Sequence, residues 1–160
     1  MTASLFIEQL FNGVQFGLML FLMAVGVTLV FWIMRIINLA HGSLFMVGGY
    51  LLVSAYHVTG SYWLAVPLAV VGIVIVGAIT EILVLRPLYS RGHLDQVLAT
   101  FGLVMVFNEA VMVVWGREPL NLKIPPQLAG FVTIFPGVDY PVYRLAITGA
   151  AIVCGAILYW

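Results

Sequence analysis

The 160-residue sequence is poor in charge. Acidic and basic residues number six each and together make up 8% of the chain, whereas hydrophobic residues make up 64%. A soluble domain carries about 25% charged residues. So few charged side chains leave a large apolar surface that water would not tolerate but that a lipid bilayer would cover. We therefore expect a membrane protein in contact with membrane lipid.

Other absences narrow the function. The net charge is zero and no basic run occurs, so nucleic acid is not an expected partner. The single cysteine, Cys154, excludes an internal disulfide and a cysteine-based metal cluster. His41, His57 and His93 are widely spaced, with no His-x-x-x-His motif and no paired carboxylates. We predict no metal site and no catalytic residues, and a membrane enzyme is disfavoured.

Long charge-free segments predict an all-α fold, a polytopic transmembrane helix bundle of about five spans. About 20 apolar residues cross the hydrocarbon as a helix, and the segment from Gln9 to Met34 is longer than that. Residues 1–8 lack the basic region and cleavage site of a signal peptide, so we expect the first span to be retained. Further spans are predicted at about 40–58, 62–83 and 96–116, and from Val142 onward.

Polar residues, glycine and proline mark the connections between these spans. Gly60-Ser61 predicts a turn between the second and third spans. The prolines between residues 117 and 141 predict an extramembrane loop, in which Gly130 to Phe135 has the composition of a strand or hairpin arm. A cluster of charged residues predicts a short polar loop between the third and fourth spans; its members are Glu81, Arg86, Arg91, His93 and Asp95.

One stretch, from Ile37 to Tyr50, holds most of the polarity of the amino-terminal half. A polar side chain facing hydrocarbon is costly and should face protein or a wet cavity, while glycine allows close approach or a helix break. We therefore predict a lined pathway here, with a packing joint as the alternative. The predicted pathway-lining or substrate residues are Asn38, His41, Gly42, Ser43, Gly48 and Gly49.

The fourth predicted span is interrupted by two polar residues, Asn108 and Glu109. A carboxylate near the middle of a span should face the interior of the bundle, as a packing hydrogen-bond partner or as a functional group. One acid without a basic partner identifies no chemistry, so both roles stay open.

Several motifs follow one another in a characteristic order. They are Ala24-Val-Gly-Val-Thr-Leu-Val30, Ile33-Met-Arg-Ile-Ile-Asn-Leu-Ala-His-Gly42, Gly48-Gly-Tyr50, Leu85-Arg-Pro-Leu88, Ala99-Thr-Phe-Gly-Leu103 and Tyr143-Arg-Leu145. From about Phe11 onward, the chain resembles the branched-chain amino-acid ABC transporter permeases of the LivH type.

The resemblance implies a multi-pass subunit of the bacterial inner membrane that forms the substrate pathway of an ATP-driven importer of leucine, isoleucine and valine, working by alternating access. The implied partners are a LivM-type permease subunit, two cytoplasmic ATPase subunits and a periplasmic amino-acid-binding protein. The chain has no Gly-x-x-x-x-Gly-Lys-Ser/Thr loop. We therefore expect no enzyme and no bound cofactor here, with ATP used by the partner ATPase subunits.

The resemblance also bears on completeness, because full-length members continue for several more spans. We expect residues 1–160 to be a single membrane-embedded permease domain that is incomplete at the carboxyl terminus. Two alternatives for function stay open. Related systems of the same architecture serve urea, short amides or other amino acids, and glycine-rich spans also suit a structural or assembly subunit without transport activity of its own.

The distribution of arginine predicts the orientation. Cytoplasmic loops are enriched in basic residues, and a cytoplasmic Arg35 together with a cytoplasmic Arg86 and Arg91 makes the second and third spans a consistent hairpin. The amino terminus and the loop at 117–141 then lie outside. A reporter that fluoresces only in the cytoplasm should give signal when fused after Gly92 and none when fused after Leu128. The reverse pattern would contradict this orientation.

Overall fold

In a computed structural model, the described part of the chain forms five α-helices and one β-hairpin. The structure describes residues 3–36, 38–118, 120, 122, 125, 128–135 and 138–159. The helices are α1 (Ala3–Met34), α2 (His41–Thr59), α3 (Tyr62–Thr80), α4 (His93–Trp115) and α5 (Val142–Tyr159), and the strands are β1 (Phe131–Phe135) and β2 (Val138–Pro141). The predicted all-α architecture is confirmed, and each predicted span corresponds to one helix.

The helices differ in how well they suit a bilayer. Three described segments are long and apolar enough to cross a membrane, namely Leu5–Ile33, Tyr62–Leu88 and His93–Trp115. The apolar part of α5 is shorter, at Val142–Leu158. Helix α2 is long enough, at 19 residues, but is less apolar than the three. The chain is a multi-pass membrane protein in which α2 is the helix least suited to face lipid.

The chain divides into two compact units. One contains residues 1–26 and 123–160, and the other contains residues 27–122. The boundary falls inside α1. The prediction that residues 1–160 form a single membrane domain stays a prediction.

The connection between α1 and α2 contains the first predicted pathway residue. Arg35, the residue after α1, has a left-handed φ of 52°, and its N–H donates to the Phe31 carbonyl oxygen at 2.8 Å. The Asn38 side chain then accepts a hydrogen bond from the Ala40 N–H at 3.0 Å, and both residues are buried. Asn38 therefore fixes the turn that starts α2. Ile37, the first residue of the predicted polar stretch, lies outside the described residues.

Helices α2 and α3 form an antiparallel hairpin. The predicted turn is confirmed at Gly60, which has a left-handed φ of 65° and donates its N–H to the Tyr56 carbonyl oxygen at 2.8 Å. Glycine adopts such a φ without steric cost. Thr59 Oγ1 donates to the Ala55 carbonyl oxygen at 2.8 Å. These hydrogen bonds satisfy backbone carbonyl groups at the end of α2 within the turn itself.

Helix α4 packs on the opposite side of α2 through one polar and one aromatic contact. The indole Nε1 of Trp115 donates to Ser54 Oγ at 2.6 Å. The Trp115 and Tyr50 rings lie with their centroids 5.4 Å apart at 44°, within the range favoured by aromatic pairs. These contacts fix the carboxyl-terminal end of α4 against the middle of α2.

The predicted polar loop between the third and fourth spans is partly wrong. Helical structure continues beyond α3 as a π-helical turn at Glu81–Leu85 and a 3₁₀ turn at Arg86–Leu88, and His93 already begins α4. Between Glu81 and Arg86 the segment is apolar, and Leu85 is buried, so packing extends helical structure past residue 83, where the predicted span ends. Pro87 is tolerated because it stands at the start of the 3₁₀ turn. The turn proper is confined to residues 89–92.

The β-hairpin lies in the segment predicted as a loop with a strand. Strands β1 and β2 are antiparallel, with Val132 opposite Tyr140 and Thr133 opposite Asp139. Tyr140 is buried, with its hydroxyl 3.2 Å from Asn12 Oδ1, and it contacts the Phe11 ring at a centroid distance of 5.5 Å. The predicted strand is confirmed, and it packs against α1.

The rest of the predicted loop at 117–141 is irregular where the structure describes it. Several residues on which the prediction rests lie outside the described residues; they are Pro119, Lys123, Pro126, Pro136 and Gly137. The extramembrane location of the loop stays a prediction.

Asn38 should stabilise the turn before α2 through its side-chain oxygen. Asn38→Leu leaves the buried Ala40 N–H without its acceptor, which costs about 1–3 kcal/mol, whereas Asn38→Ser keeps an acceptor that can serve such turns. We expect thermal unfolding of the purified membrane complex in detergent to occur at a lower temperature for Asn38→Leu than for Asn38→Ser. Equal midpoints would show that the bond does not stabilise the turn.

Within the helices of the α2–α3 hairpin, Gly72 should be the least replaceable glycine. A Cβ at Gly72 would lie 3.2 Å from Leu51 Cδ1, whereas a Cβ at Gly77, on the same helix, meets no described atom within 4 Å. Overpacking costs about 1–3 kcal/mol. We expect Gly72→Val to lower the thermal midpoint relative to Gly77→Val. A Gly72→Val protein as stable as its control would show that the contact relaxes freely.

Candidate functional site

The predicted pathway residues, which lie in α2 or just before it, fall into three environments. Asn38 and Ser43 are buried, each about 8% exposed. Gly42 is exposed in the first turn of α2, and a Cβ built on it meets no described atom within 4 Å. The close contact predicted at Gly42 is therefore not made by the described residues. The face of α2 that carries Gly42 is left open to a neighbour, and its role stays a prediction.

The remaining three predicted residues line a cavity between α2 and α3. His41, Gly48 and Gly49 border this space of about 610 Å³. A Cβ on Gly48 would lie 3.7 Å from Ile73 Cγ1, which is an ordinary contact, and a Cβ on Gly49 meets no described atom within 4 Å. Apart from His41 and Tyr62, the wall is apolar. We call this space the α2–α3 cavity.

A second cavity lies on the other side of α2, against α4. It has a volume of about 500 Å³, and we call it the α2–α4 cavity. Six of its lining residues are Met46, Tyr50, Asn108, Val111, Met112 and Arg117. Glu109, the other predicted intramembrane polar residue, is exposed and does not line it. The structure thus separates Asn108 from Glu109, which point to different surroundings.

Sequence reasoning missed the polar face of α2 that contacts α4. Met46, Tyr50 and Ser54 recur every four residues and so lie on one side of the helix. That spacing is the signal that could have identified them. Arg117 was missed because its position in the cavity depends on Gly116, where a φ of 89° turns the chain out of α4.

A polar cluster also holds the turn between α3 and α4. Tyr89 donates its hydroxyl to Glu81 Oε1 at 2.8 Å. Burial raises the pKa of Tyr89 above its usual value, and the bond to Glu81 raises it further. Gln96, almost fully buried, donates through Nε2 to the Leu88 and Arg91 carbonyl oxygens, both at 3.2 Å. These bonds close a turn that the sequence identified only as polar.

Metal binding has no visible basis in the described part of the chain. Among those residues, no group of three histidine, cysteine, aspartate or glutamate side chains is placed to hold a metal ion. The residues that line the two cavities beside α2 instead offer hydrogen-bonding groups, the cation of Arg117 and apolar side chains.

Known proteins similar to this chain are transport permeases. The chain is 29% identical over 126 residues to the high-affinity branched-chain amino acid transport system permease protein LivH of Salmonella typhimurium, and equally to that of Escherichia coli K12, covering 73% of this chain and 41% of the relative. For the permease protein BraD of Pseudomonas aeruginosa, the identity is 29% over 134 residues, covering 78% and 43%.

The similarity covers most of this chain but only part of those proteins. The matched region spans about two-fifths of the length of these curated relatives. No solved structure matches the chain. A family model described as the permease component of the branched-chain amino acid transport system matches residues 9–160. The chain therefore belongs to the family of branched-chain amino acid transport system permease components.

Proposed function

We propose that the chain contributes part of the substrate pathway in a permease subunit of an ATP-driven importer of branched-chain amino acids in the bacterial inner membrane. The match of the family to residues 9–160 carries this proposal. The relatives LivH and BraD are named as high-affinity permeases for branched-chain amino acids, which supports the same substrate class here.

The structure supports a pathway at α2. This helix is less apolar than its neighbours, and it has a cavity on each side, against α3 and against α4. Polar groups inside a membrane protein should face protein or water and mark substrate pathways. His41, Gly48 and Gly49 are proposed to line the path on the α3 side, and Asn108 on the α4 side. Asn38 and Ser43 are proposed to position α2, and Gly42 to contact a neighbouring element.

The proposed partners follow from the mechanism. The chain has no phosphate-binding ATPase loop, so ATP would be hydrolysed by two cytoplasmic ATPase subunits and no cofactor would be bound by the chain itself. A second permease subunit of the LivM type would complete the pathway. A periplasmic amino-acid-binding protein would deliver the substrate, and pairing between these subunits would drive alternating access.

Uptake by the host measures the proposed substrate class. Cells lacking the gene should lose energy-dependent uptake of leucine, isoleucine and valine, and a plasmid copy should restore it. Urea, a short amide and a basic amino acid should not compete with leucine. Unchanged branched-chain uptake in the deletion strain, or competition by urea or the amide, would contradict the proposed substrate.

A variant of Gly49 separates transport from a purely structural role. Gly49→Leu places a side chain in the α2–α3 cavity without a described contact at its Cβ. The membrane complex should therefore assemble to normal levels, while the initial uptake rate per complex should fall severalfold. Normal uptake per complex would contradict a pathway at this cavity and would favour a structural subunit.

A further inference from the structure

The α2–α4 cavity differs from the α2–α3 cavity in its chemistry. Its lining residues include Arg117, Asn108 and Tyr50, whose side chains carry a guanidinium, an amide and a phenol. The rest of the wall is mostly apolar, with Met46 and Met112 facing the same space. Its volume of about 500 Å³ lies within the range of small-molecule sites, about 300–1,000 Å³. Such a lining suits a ligand with one anionic end and one apolar end.

The cation in this cavity is available to a ligand. Arg117 is exposed, and it forms no hydrogen bond or ion pair within the described part of the chain. Arginine presents a planar fork of donors that matches the two oxygens of a carboxylate. An anionic group is therefore favoured at this end of the cavity.

The position of Arg117 is held by rigid neighbours. Gly116 leaves α4 with a left-handed φ of 89° and donates its N–H to the Met112 carbonyl oxygen at 3.0 Å. Trp115, one residue earlier, is fixed on α2 by its hydrogen bond to Ser54 and its ring contact with Tyr50. Arg117 follows this fixed helix end by two residues, so the position of its backbone is constrained.

Distances along the helices decide which polar groups can share one ligand. Asn108 lies eight residues before Gly116, or about 12 Å at 1.5 Å per residue. A single amino-acid head group is too small to bridge that separation, so Asn108 serves a different position from Arg117. Tyr50 lies beside Trp115 and therefore near the Arg117 end. Helix α2 continues from Ser54 to Thr59, about 8 Å further, so it extends beyond the level at which Trp115 contacts Ser54.

We propose that the α2–α4 cavity is an entry site for an aliphatic amino acid, with the carboxylate bound by Arg117 and the side chain packed against Met46, Val111 and Met112. The proposal rests on the proposed function, because it assigns residues to the same transported substrate. In the predicted orientation, the carboxyl-terminal end of α4 faces outside, where an imported substrate arrives. Tyr50 lines the same cavity, and its hydroxyl would accept a hydrogen bond from the ammonium group.

Cysteine labelling in the permease as its host makes it, with its partner subunits, tests the site. Met112→Cys places a thiol in the cavity wall, and Val113→Cys, on the same helix but 83% exposed, is the matched control. Both are made with Cys154→Ser, since Cys154 is itself exposed. Membrane vesicles are treated with a maleimide, with and without excess leucine, 4-methylpentanoate or 3-methylbutylamine.

Leucine and 4-methylpentanoate, which carry the carboxylate, should slow labelling of Met112→Cys severalfold, and the amine should not. Labelling of Val113→Cys should be unchanged by all three compounds. Arg117→Gln should abolish the protection and raise the KM for leucine uptake about 10- to 100-fold, as expected for the loss of a charged hydrogen bond.

Two results would overturn the entry site. One is that leucine does not slow labelling of Met112→Cys and that Arg117→Gln leaves the KM for leucine uptake unchanged, while the cells still import leucine. The proposed function would then stand, but without this site. The other is slower labelling of Met112→Cys when the vesicles are enriched in anionic lipid and no leucine is added. That result would assign Arg117 to a lipid head group. Protection by a different aliphatic carboxylate in cells that import no branched-chain amino acid would support the site and contradict the proposed function.

Discussion

The cost of exposing polar groups to hydrocarbon governs the arrangement around α2. Tyr50 and Ser54 could not face lipid cheaply, and Trp115 supplies both an indole N–H and an aromatic surface to them. On the other side, small residues let α3 approach, so that Leu51 lies against Gly72. A helix that is poor at facing lipid thus becomes the central helix of the 27–122 unit, flanked on two sides by more apolar helices.

The unit of residues 1–26 and 123–160 also contains a charged residue, Arg144, next to apolar sequence. Arg144 lies in the first turn of α5. Within the described residues, its guanidinium donates to uncharged oxygens of Asn12 and Tyr143. Its charge also lies near the Tyr140 and Tyr143 rings, at 6.0 and 5.8 Å from their centroids, within reach of a cation–π interaction. Charge in this unit is accommodated by hydrogen bonds and aromatic faces, with the β-hairpin supplying one of the rings.

The sequence predicts the helices well because long charge-free segments leave few alternatives. Boundaries are less predictable: the third span is predicted to end near residue 83, but helical turns continue through Leu88, with Leu85 buried. The site is predictable only in part. Glycine and polar residues identified α2, yet the partner of each α2 face depends on contacts distant in sequence, such as that between Ser54 and Trp115. The position of Arg117 in the cavity lining depends on the positive φ at Gly116, which composition does not reveal.

The two-residue connection at Gly60-Ser61 also bears on how the protein enters the membrane during synthesis. Helix α2 alone is a weak substrate for insertion, because its histidines, serines and glycines dilute its apolar residues. Helix α3 follows almost at once and is long and strongly apolar. With so short a connection, the two helices are expected to insert together as a hairpin, with α3 supplying most of the driving force. The polar residues of α2 can therefore be retained without preventing membrane integration, because α3 supplies most of the apolar surface of the pair.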